Sequence, residues 1–69
     1  MDRVPITSTN IKEVGYDATS NTLEILFKDG AIYRYLDVPQ FVYDELLAAE
    51  SAGRYFHQMI RDKYQFTRI

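Results

Sequence analysis

The chain contains no cysteine, no tryptophan and a single histidine, together with only two prolines and three glycines among its 69 residues. The lack of cysteine excludes disulfide bonds, thiolate metal ligands and thiol catalysis. No apolar run approaches the roughly 20 residues that a membrane-spanning helix needs, and the N-terminal residues lack a signal-peptide pattern. We therefore predict a cytoplasmic domain that contacts no membrane and depends on its apolar core alone.

Apolar and aromatic residues are plentiful by contrast. Hydrophobic residues make up 46% of the chain, including six tyrosines and four phenylalanines. This content is too high for a disordered segment, and the length suits one domain. We predict a single domain over residues 1–69 with modest stability, because so short a chain buries only about 60% of its unfolded surface.

Positive and negative charges are separated along the chain, although the net charge is only −2. Up to residue 52, four basic residues accompany nine carboxylates, whereas residues 53–69 hold four basic residues and one aspartate. A basic end of this kind can bind an anion or a nucleic-acid backbone. The acidic overall balance argues against tight DNA binding driven by charge alone, and a solvated helix face followed by a tail is the alternative interpretation.

The segment 22–35 predicts two strands joined at an Asp29-Gly30 turn. A two-residue loop would pair Ile25 with Arg34, whereas a three-residue loop with a left-handed Gly30 pairs Ile25 with Tyr33. We favour the second register because it groups rings with aliphatic side chains and opposes unlike charges. Its cross-strand pairs are Phe27 with Ala31, Ile25 with Tyr33, Leu23 with Tyr35, and Glu24 with Arg34. It leaves Leu26 and Ile32 together on the outer face.

One further strand precedes this hairpin. Ile11–Asp17 alternates like a half-buried strand, and Gly15 within it would let another backbone or a ring approach closely, or would mark a bulge. Residues 1–9 indicate an irregular lead-in, since Pro5 and a polar cluster interrupt any strand pattern.

Two helices follow the hairpin. Asp37 can cap the first, with Pro39 in its first turn, and an apolar stripe continues at helical spacing. The second is predicted from about Gly53 to Lys63. We therefore predict an α+β fold of order β-β-β-α-α, in which two helices cover one face of a three-stranded antiparallel meander.

The best candidate binding site lies in the basic C-terminal part. The basic residues Arg54, His57, Arg61, Lys63 and Arg68 lie there among the rings of Tyr55, Phe56, Tyr64 and Phe66. This mixture suits RNA, whose unpaired bases stack on rings while arginine binds phosphate. Helical spacing predicts Arg54, His57 and Arg61 on one face. The competing interpretation is that the rings pack inwards and the charges only keep a short helix soluble.

The two tyrosines of the hairpin are ambiguous. Tyr33 and Tyr35 could form a stacking platform for bases. The chosen register instead turns both rings towards the helices, which predicts a core role with the hydroxyl groups at the edge.

No pattern indicates an enzyme. His57 has no acidic neighbour in sequence, and Asp44 and Glu45 would point about 100° apart on a helix. The chain also lacks a glycine-rich phosphate loop and any metal-ligand spacing. We predict a non-enzymatic module without metal or cofactor.

Several spaced motifs together resemble the KTSC domain family. They are Ser8…Ile11…Val14-Gly15-Tyr16-Asp17, Leu23-x-Ile25-x-Phe27-x-x-Gly30, Tyr33-x-Tyr35-x-x-Val38-Pro39, Val42-Tyr43-x-x-Leu46-Leu47, and Ser51-x-Gly53-x-Tyr55-Phe56 with Ile60-Arg61-x-x-Tyr64. The resemblance covers nearly the whole chain. It implies a small domain found at the C-terminus of some lysyl-tRNA synthetases and alone in short bacterial and phage proteins.

The resemblance makes Tyr33 and Tyr35 the family signature, and its synthetase context implies RNA binding. The family tends to have asparagine after Tyr-Phe, whereas this chain has His57, so a role that depends on that asparagine does not carry over. The leading prediction is therefore a small RNA-binding module that uses Arg54, His57, Arg61 and Lys63.

A protein-interaction or regulatory role is the alternative. A protein partner could contact Leu26 and Ile32 on the outer face, or an acidic face formed by Asp37, Asp44, Glu45 and Glu50. The exposed edge of the sheet could equally pair with a second copy and give a homodimer.

Overall fold

The computed structural model describes residues 1–69 as one antiparallel sheet of five strands with two helices. The strands follow the chain in order across the sheet, so that β1 and β5 are its edges. The elements are β1 (Arg3–Pro5), β2 (Ile11–Asp17), β3 (Thr22–Phe27), β4 (Ile32–Tyr35), α1 (Gln40–Ala48), α2 (Ala52–Met59) and β5 (Phe66–Arg68). Neither helix is long and apolar enough to cross a membrane.

The α+β class is confirmed, but the prediction of three strands is wrong. Arg3–Pro5 pairs with β2, and Phe66–Arg68 pairs with β4. Both added strands have three residues, too few to show a period of two, and Pro5 is acceptable because β1 is an edge strand. The supposed lead-in and tail therefore extend the meander at both edges.

The predicted register of the central hairpin is confirmed. Ile25 pairs with Tyr33, and Glu24 with Arg34. The Phe27 amide donates to the Ala31 carbonyl at 2.9 Å, and Gly30 has φ 96°. The left-handed glycine in a three-residue loop thus decides which side chains share each face.

The helices begin and end differently from the prediction. Asp37 does not cap α1; it has φ 56°, and the extended Pro39 precedes the first helical residue without a side-chain cap. The loop thus uses Asp37 to turn the chain. Helix α2 is capped by Ser51, whose hydroxyl accepts the Arg54 amide at 3.2 Å, and it ends at Met59, four residues before the predicted end.

One core lies between the helices and the inner face of the sheet, the face that carries Val14, Leu23 and Ile25. It contains eleven buried residues, and Tyr35 is among them at 2% exposure. Both helices therefore pack on the same face, as predicted. The buried residues are Ile11, Val14, Leu23, Ile25, Tyr35, Val38, Val42, Leu46, Ala52, Phe56 and Ile60.

The outer face of the sheet carries a buried carboxylate. Glu24 is 4% exposed and lies between two guanidinium groups, 2.6 Å from Arg3 Nη1 and 2.8 Å from Arg34 Nε. Burial alone would raise the pKa of the Glu24 carboxyl, but the hydrogen bonds from the two arginines outweigh it, so this pKa lies below its ordinary value. Arg3 also pairs with Glu13 at 3.1 Å.

The chain ahead of β1 crosses this outer face at Gly15. A Cβ atom on Gly15 would lie 2.7 Å from the Asp2 carbonyl oxygen. The close backbone approach predicted for this glycine is confirmed, and it brings Arg3 within reach of Glu24.

Candidate functional site

A cleft of about 290 Å³ opens between β4 and α2 on the inner side of the sheet. It follows from the register, since a one-residue slip would turn Tyr33 and Tyr35 to the outer face. Four rings line it, those of Phe27, Tyr33, Tyr35 and Phe56. Its polar lining consists of Asn10, Asp29, His57 and Arg61.

The rings of the cleft pack on one another. Phe56 of α2 meets Tyr35 and Phe27 edge to face, with ring centroids 5.5 Å apart in each pair. Tyr33 and Tyr35 lie nearly parallel at 6.3 Å. Each such pair contributes about 0.5–1.5 kcal/mol beyond its buried area, so these contacts stabilise the aromatic wall of the cleft.

The two signature tyrosines differ in exposure. Tyr35 belongs to the core, as the register predicted, whereas Tyr33 is only half-buried and its ring borders the cleft. Burial raises the pKa of the Tyr35 hydroxyl, the neighbouring Tyr33 adds to this rise, and the charge of Arg61 acts in the opposite direction. Four residues after Arg61, the Gln65 carbonyl accepts the Leu36 amide at 2.8 Å, which places this part of the chain at the Tyr35 end of the cleft.

Strand β5 extends this aromatic surface. The Phe66 ring lies 5.3 Å from Tyr33 and is 52% exposed. The Arg68 guanidinium lies over the Tyr33 ring, 5.7 Å from its centroid, within the range of a cation–π interaction. An exposed flat surface with a positive charge thus adjoins the cleft.

His57 and Arg61 form a basic rim at the end of α2. Arg61 Nη1 is 3.1 Å from His57 Nδ1, as the spacing of four residues predicted. Because a guanidinium can only donate, this contact requires an unprotonated Nδ1, and the imidazole proton then resides on Nε2. Both side chains are exposed at the mouth of the cleft.

The other two predicted site residues lie elsewhere. Arg54 borders a separate shallow depression with Glu50, Ser51 and Tyr55. The expectation that Arg54 and Arg61 share a helix face is wrong, because α2 ends at Met59 and Arg61 follows it in a turn. Lys63 is exposed in the same turn and does not line the cleft.

Residues 7–64 match the family described as the KTSC domain. This chain belongs to the KTSC family. A curated uncharacterized protein of Stutzerimonas stutzeri is 41% identical to it over 70 residues, which cover the whole chain and 99% of that protein. The crystal structure of a KTSC domain protein from Yersinia pestis superposes with a TM-score of 0.93 at 36% identity, covering 99% of this chain and 96% of the other.

Other relatives carry the KTSC domain as a small part of a longer protein. A protein named lysine–tRNA ligase from Trichormus variabilis is 41% identical over 59 residues, which cover 86% of this chain but 10% of the ligase. A ligase of the same name from a Nostoc species is 39% identical over an equal length. The predicted family resemblance is confirmed, including its occurrence within lysine–tRNA ligases.

Sequence reasoning placed neither Asn10 nor Asp29 in this KTSC domain's candidate site, and it grouped Phe66 and Arg68 with the basic aromatic segment without predicting the strand that carries them. Asn10 and Asp29 come from loops that meet only in the folded chain, and Phe66 and Arg68 come from a strand that was predicted to be a tail. The sequence signal for this strand was the spacing of two residues between Phe66 and Arg68, because it places both side chains on one face of a strand.

Proposed function

We propose that this KTSC domain is a non-enzymatic module that binds single-stranded RNA through the cleft and the adjoining face of β5. One observation carries the proposal. The half-buried Tyr33 ring contacts both the exposed Phe66 ring and the Arg68 guanidinium, beside a cleft whose rim holds His57 and Arg61. Proteins that bind single strands combine aromatic rings for the bases with cationic groups for the backbone.

The aromatic rings and the cationic groups would bind different parts of an RNA strand. Stacking of one base on an exposed ring contributes about 1–3 kcal/mol, and arginine can bind a phosphate with two parallel hydrogen bonds. The occurrence of the domain in proteins named lysine–tRNA ligase supports an RNA ligand. An RNA ligand also implies a cytoplasmic location.

A titration of the labelled domain with a short unstructured RNA tests the proposal. We expect amide shifts at His57, Arg61 and β5, and an affinity that falls as salt rises, with a slope of about 0.7 for each phosphate contacted. Arg61→Glu should abolish most of the binding. Arg54→Glu is the matched control, since it makes the same charge change seven residues earlier in the chain but outside the cleft.

The contribution of the Tyr33 ring to RNA affinity is tested separately. Tyr33→Leu should weaken binding by about 5-fold or more, because an aliphatic side chain keeps the packing but cannot stack a base. Equal affinity of the wild-type, Tyr33→Leu and Arg61→Glu proteins for the RNA would overturn the proposal. Absence of any salt-sensitive shift would do the same and would favour a protein partner.

The surfaces that the sequence offered to a protein partner are less exposed, or already hydrogen-bonded, in the folded domain. Leu26 and Ile32 do pair on the outer face, but both are half-buried. In the acidic face, Glu45 accepts a hydrogen bond from the Tyr55 hydroxyl at 2.5 Å. Pairing of β1 or β5 with a second copy remains a proposal, which the oligomeric state in solution would test.

A further inference from the structure

We propose that the cleft holds one unpaired nucleotide in a fixed direction, with its phosphate at Arg61 and its base edge at Asn10 and Asp29. This inference rests on the proposed function and specifies its ligand. It predicts a preference for bases that carry an exocyclic amino group over uracil. The preference follows from the distribution of charge and hydrogen-bonding groups along the cleft.

The two ends of the cleft are chemically different. Ala31 lines one end and Tyr35 the other, and four residues of strand separate them by about 13 Å. Helix α2 runs alongside, since Gly53 lies next to Asn10 at one end, and four residues after Arg61 the Gln65 carbonyl accepts the Leu36 amide at 2.8 Å, next to Tyr35 at the other end. Arg61 and its hydrogen-bond partner His57 therefore lie away from the acidic turn, with the rings between them.

Asn10 presents hydrogen-bond donors at the acidic end. The Ser8 hydroxyl lies 3.2 Å from Asn10 Oδ1 and donates to it, which leaves the two N–H groups of the amide available. Ser8 Oγ in turn accepts the Ile11 amide at 3.3 Å, which holds the hydroxyl in place. A Cβ atom on Gly53 would lie 2.9 Å from Asn10 Oδ1, so only glycine leaves this amide its present position.

Asp29 presents acceptors at the same end. Its Oδ1 accepts the Ala31 amide at 3.0 Å, which orients the carboxylate, while the ion pairs of the domain involve other carboxylates. The Lys28 amide donates to the Asn10 carbonyl at 2.9 Å, so the turn and Asn10 are adjacent. A donor and an anionic acceptor therefore lie side by side.

This pair matches the Watson–Crick edge of a base rather than a phosphate. A carboxylate repels phosphate oxygens, so the anionic part of a nucleotide belongs at Arg61. Adenine and cytosine each present an amino donor beside a ring-nitrogen acceptor, and guanine presents two adjacent N–H donors beside a carbonyl group. Uracil can satisfy the pair only through its single ring N–H and one carbonyl group, which places its second carbonyl group against the carboxylate. The edge must be unpaired to be reached, as in other single-stranded RNA recognition.

The size of the cleft limits its occupant. Pockets for drug-sized ligands range over about 300–1,000 Å³, and the volume of this cleft, 290 Å³, lies just below that range. One base with its sugar, rather than several stacked bases, fits this volume. Neighbouring nucleotides would lie on the exposed Phe66 and Arg68.

The test compares RNA homopolymers of equal length made from adenosine, cytidine or uridine, together with a duplex of the same length. We expect the adenosine and cytidine strands to bind about 5-fold or more tightly than the uridine strand, with amide shifts at Asn10 and Asp29. Asp29→Asn should reduce this preference to within about 2-fold, since a neutral amide can donate to uracil carbonyl groups. The duplex should bind weakly.

Two further variants distinguish recognition of the base edge from general effects on charge or folding. Asp44→Asn makes the same change on the exposed surface of α1 and should leave the preference intact. Gly53→Ala should lower the preference by displacing the Asn10 amide, while the gain in helix propensity protects the fold.

The outcomes distinguish this inference from the proposed function. If Asp29→Asn and Gly53→Ala leave the order of the three homopolymers unchanged while Arg61→Glu still abolishes binding, RNA binding stands and the reading of the base edge is wrong. If no homopolymer shifts any amide of the wild-type domain, both proposals are wrong. A uridine strand that binds as tightly as adenosine also overturns the inference.

Discussion

Replacing Glu24 by glutamine should lower the free energy of unfolding by about 2–4 kcal/mol. The amide keeps the shape of the side chain but has no charge, and its NH₂ group would face a guanidinium that can only donate. At least one of the contacts at 2.6 and 2.8 Å is therefore lost. Because Glu24 is almost completely buried, water cannot replace that contact, and a domain of this size has only about 3–10 kcal/mol in total.

Urea unfolding followed by far-UV circular dichroism measures this loss. Glu13→Gln is the matched control, since it removes one ion pair with Arg3 from a side chain that is 32% exposed, and it should cost less than about 1 kcal/mol. Equal losses in the two variants would refute the reasoning, because they would show that burial between two arginines adds nothing.

The pH dependence of the same pair of proteins has a definite sign. The folded-state pKa of Glu24 is depressed, so its contribution is fully present above the unfolded value of about 4.3 and disappears as the pH falls through the folded value. The stability difference between the wild type and Glu24→Gln should therefore be constant near neutral pH and shrink in acid. A difference that grows in acid would contradict the assigned ion pairs.

Three further outcomes are expected. Tyr35→Ala should cost about 3–5 kcal/mol in urea unfolding because its ring is buried among Phe56 and the strands, whereas Tyr35→Phe should be nearly neutral; a fully stable alanine variant would contradict the core assignment. Gly30→Val should cost about 1–3 kcal/mol through backbone strain alone, since φ is 96° and no atom lies within 4 Å of its Cβ position; an unchanged urea midpoint would contradict this. Burial and the hydrogen bond to Glu45 raise the pKa of Tyr55 to about 12, so stability should fall between pH 10 and 12, and ultraviolet titration of Tyr55→Phe should lack the last phenolate step.

Local chemistry made the centre of the fold predictable. The Asp29-Gly30 turn requires a left-handed residue, and this requirement, together with the choice between two loop lengths, decided the register of β3 and β4. From the register followed the faces of Tyr33 and Tyr35 and the ion pair between Glu24 and Arg34. The proximity of His57 and Arg61 was expected from their spacing of four residues, although Arg61 lies in the turn after α2.

The edge strands β1 and β5 depend on long-range pairing, and three residues are too few to show a strand pattern in the sequence. Arg3 was therefore not expected to neutralise Glu24, and Phe66 was not expected to extend the surface of Tyr33. The cleft combines Asn10 and Asp29 from separate loops, which only the folded sheet brings together. Arg54 was assigned to the site because α2 was expected to continue to Lys63.

The sequential order of the strands has a consequence for proteins that carry this domain as one part of a longer chain. Since β1 and β5 lie at opposite edges, four strand spacings of about 4.8 Å separate the two points of attachment by about 19 Å. A neighbour joined ahead of Arg3 would be tethered at the edge remote from Phe66 and would leave the cleft accessible. A neighbour joined after Arg68 would be tethered beside the cleft, so a fluorescent protein or affinity tag belongs at the N-terminus in any binding assay.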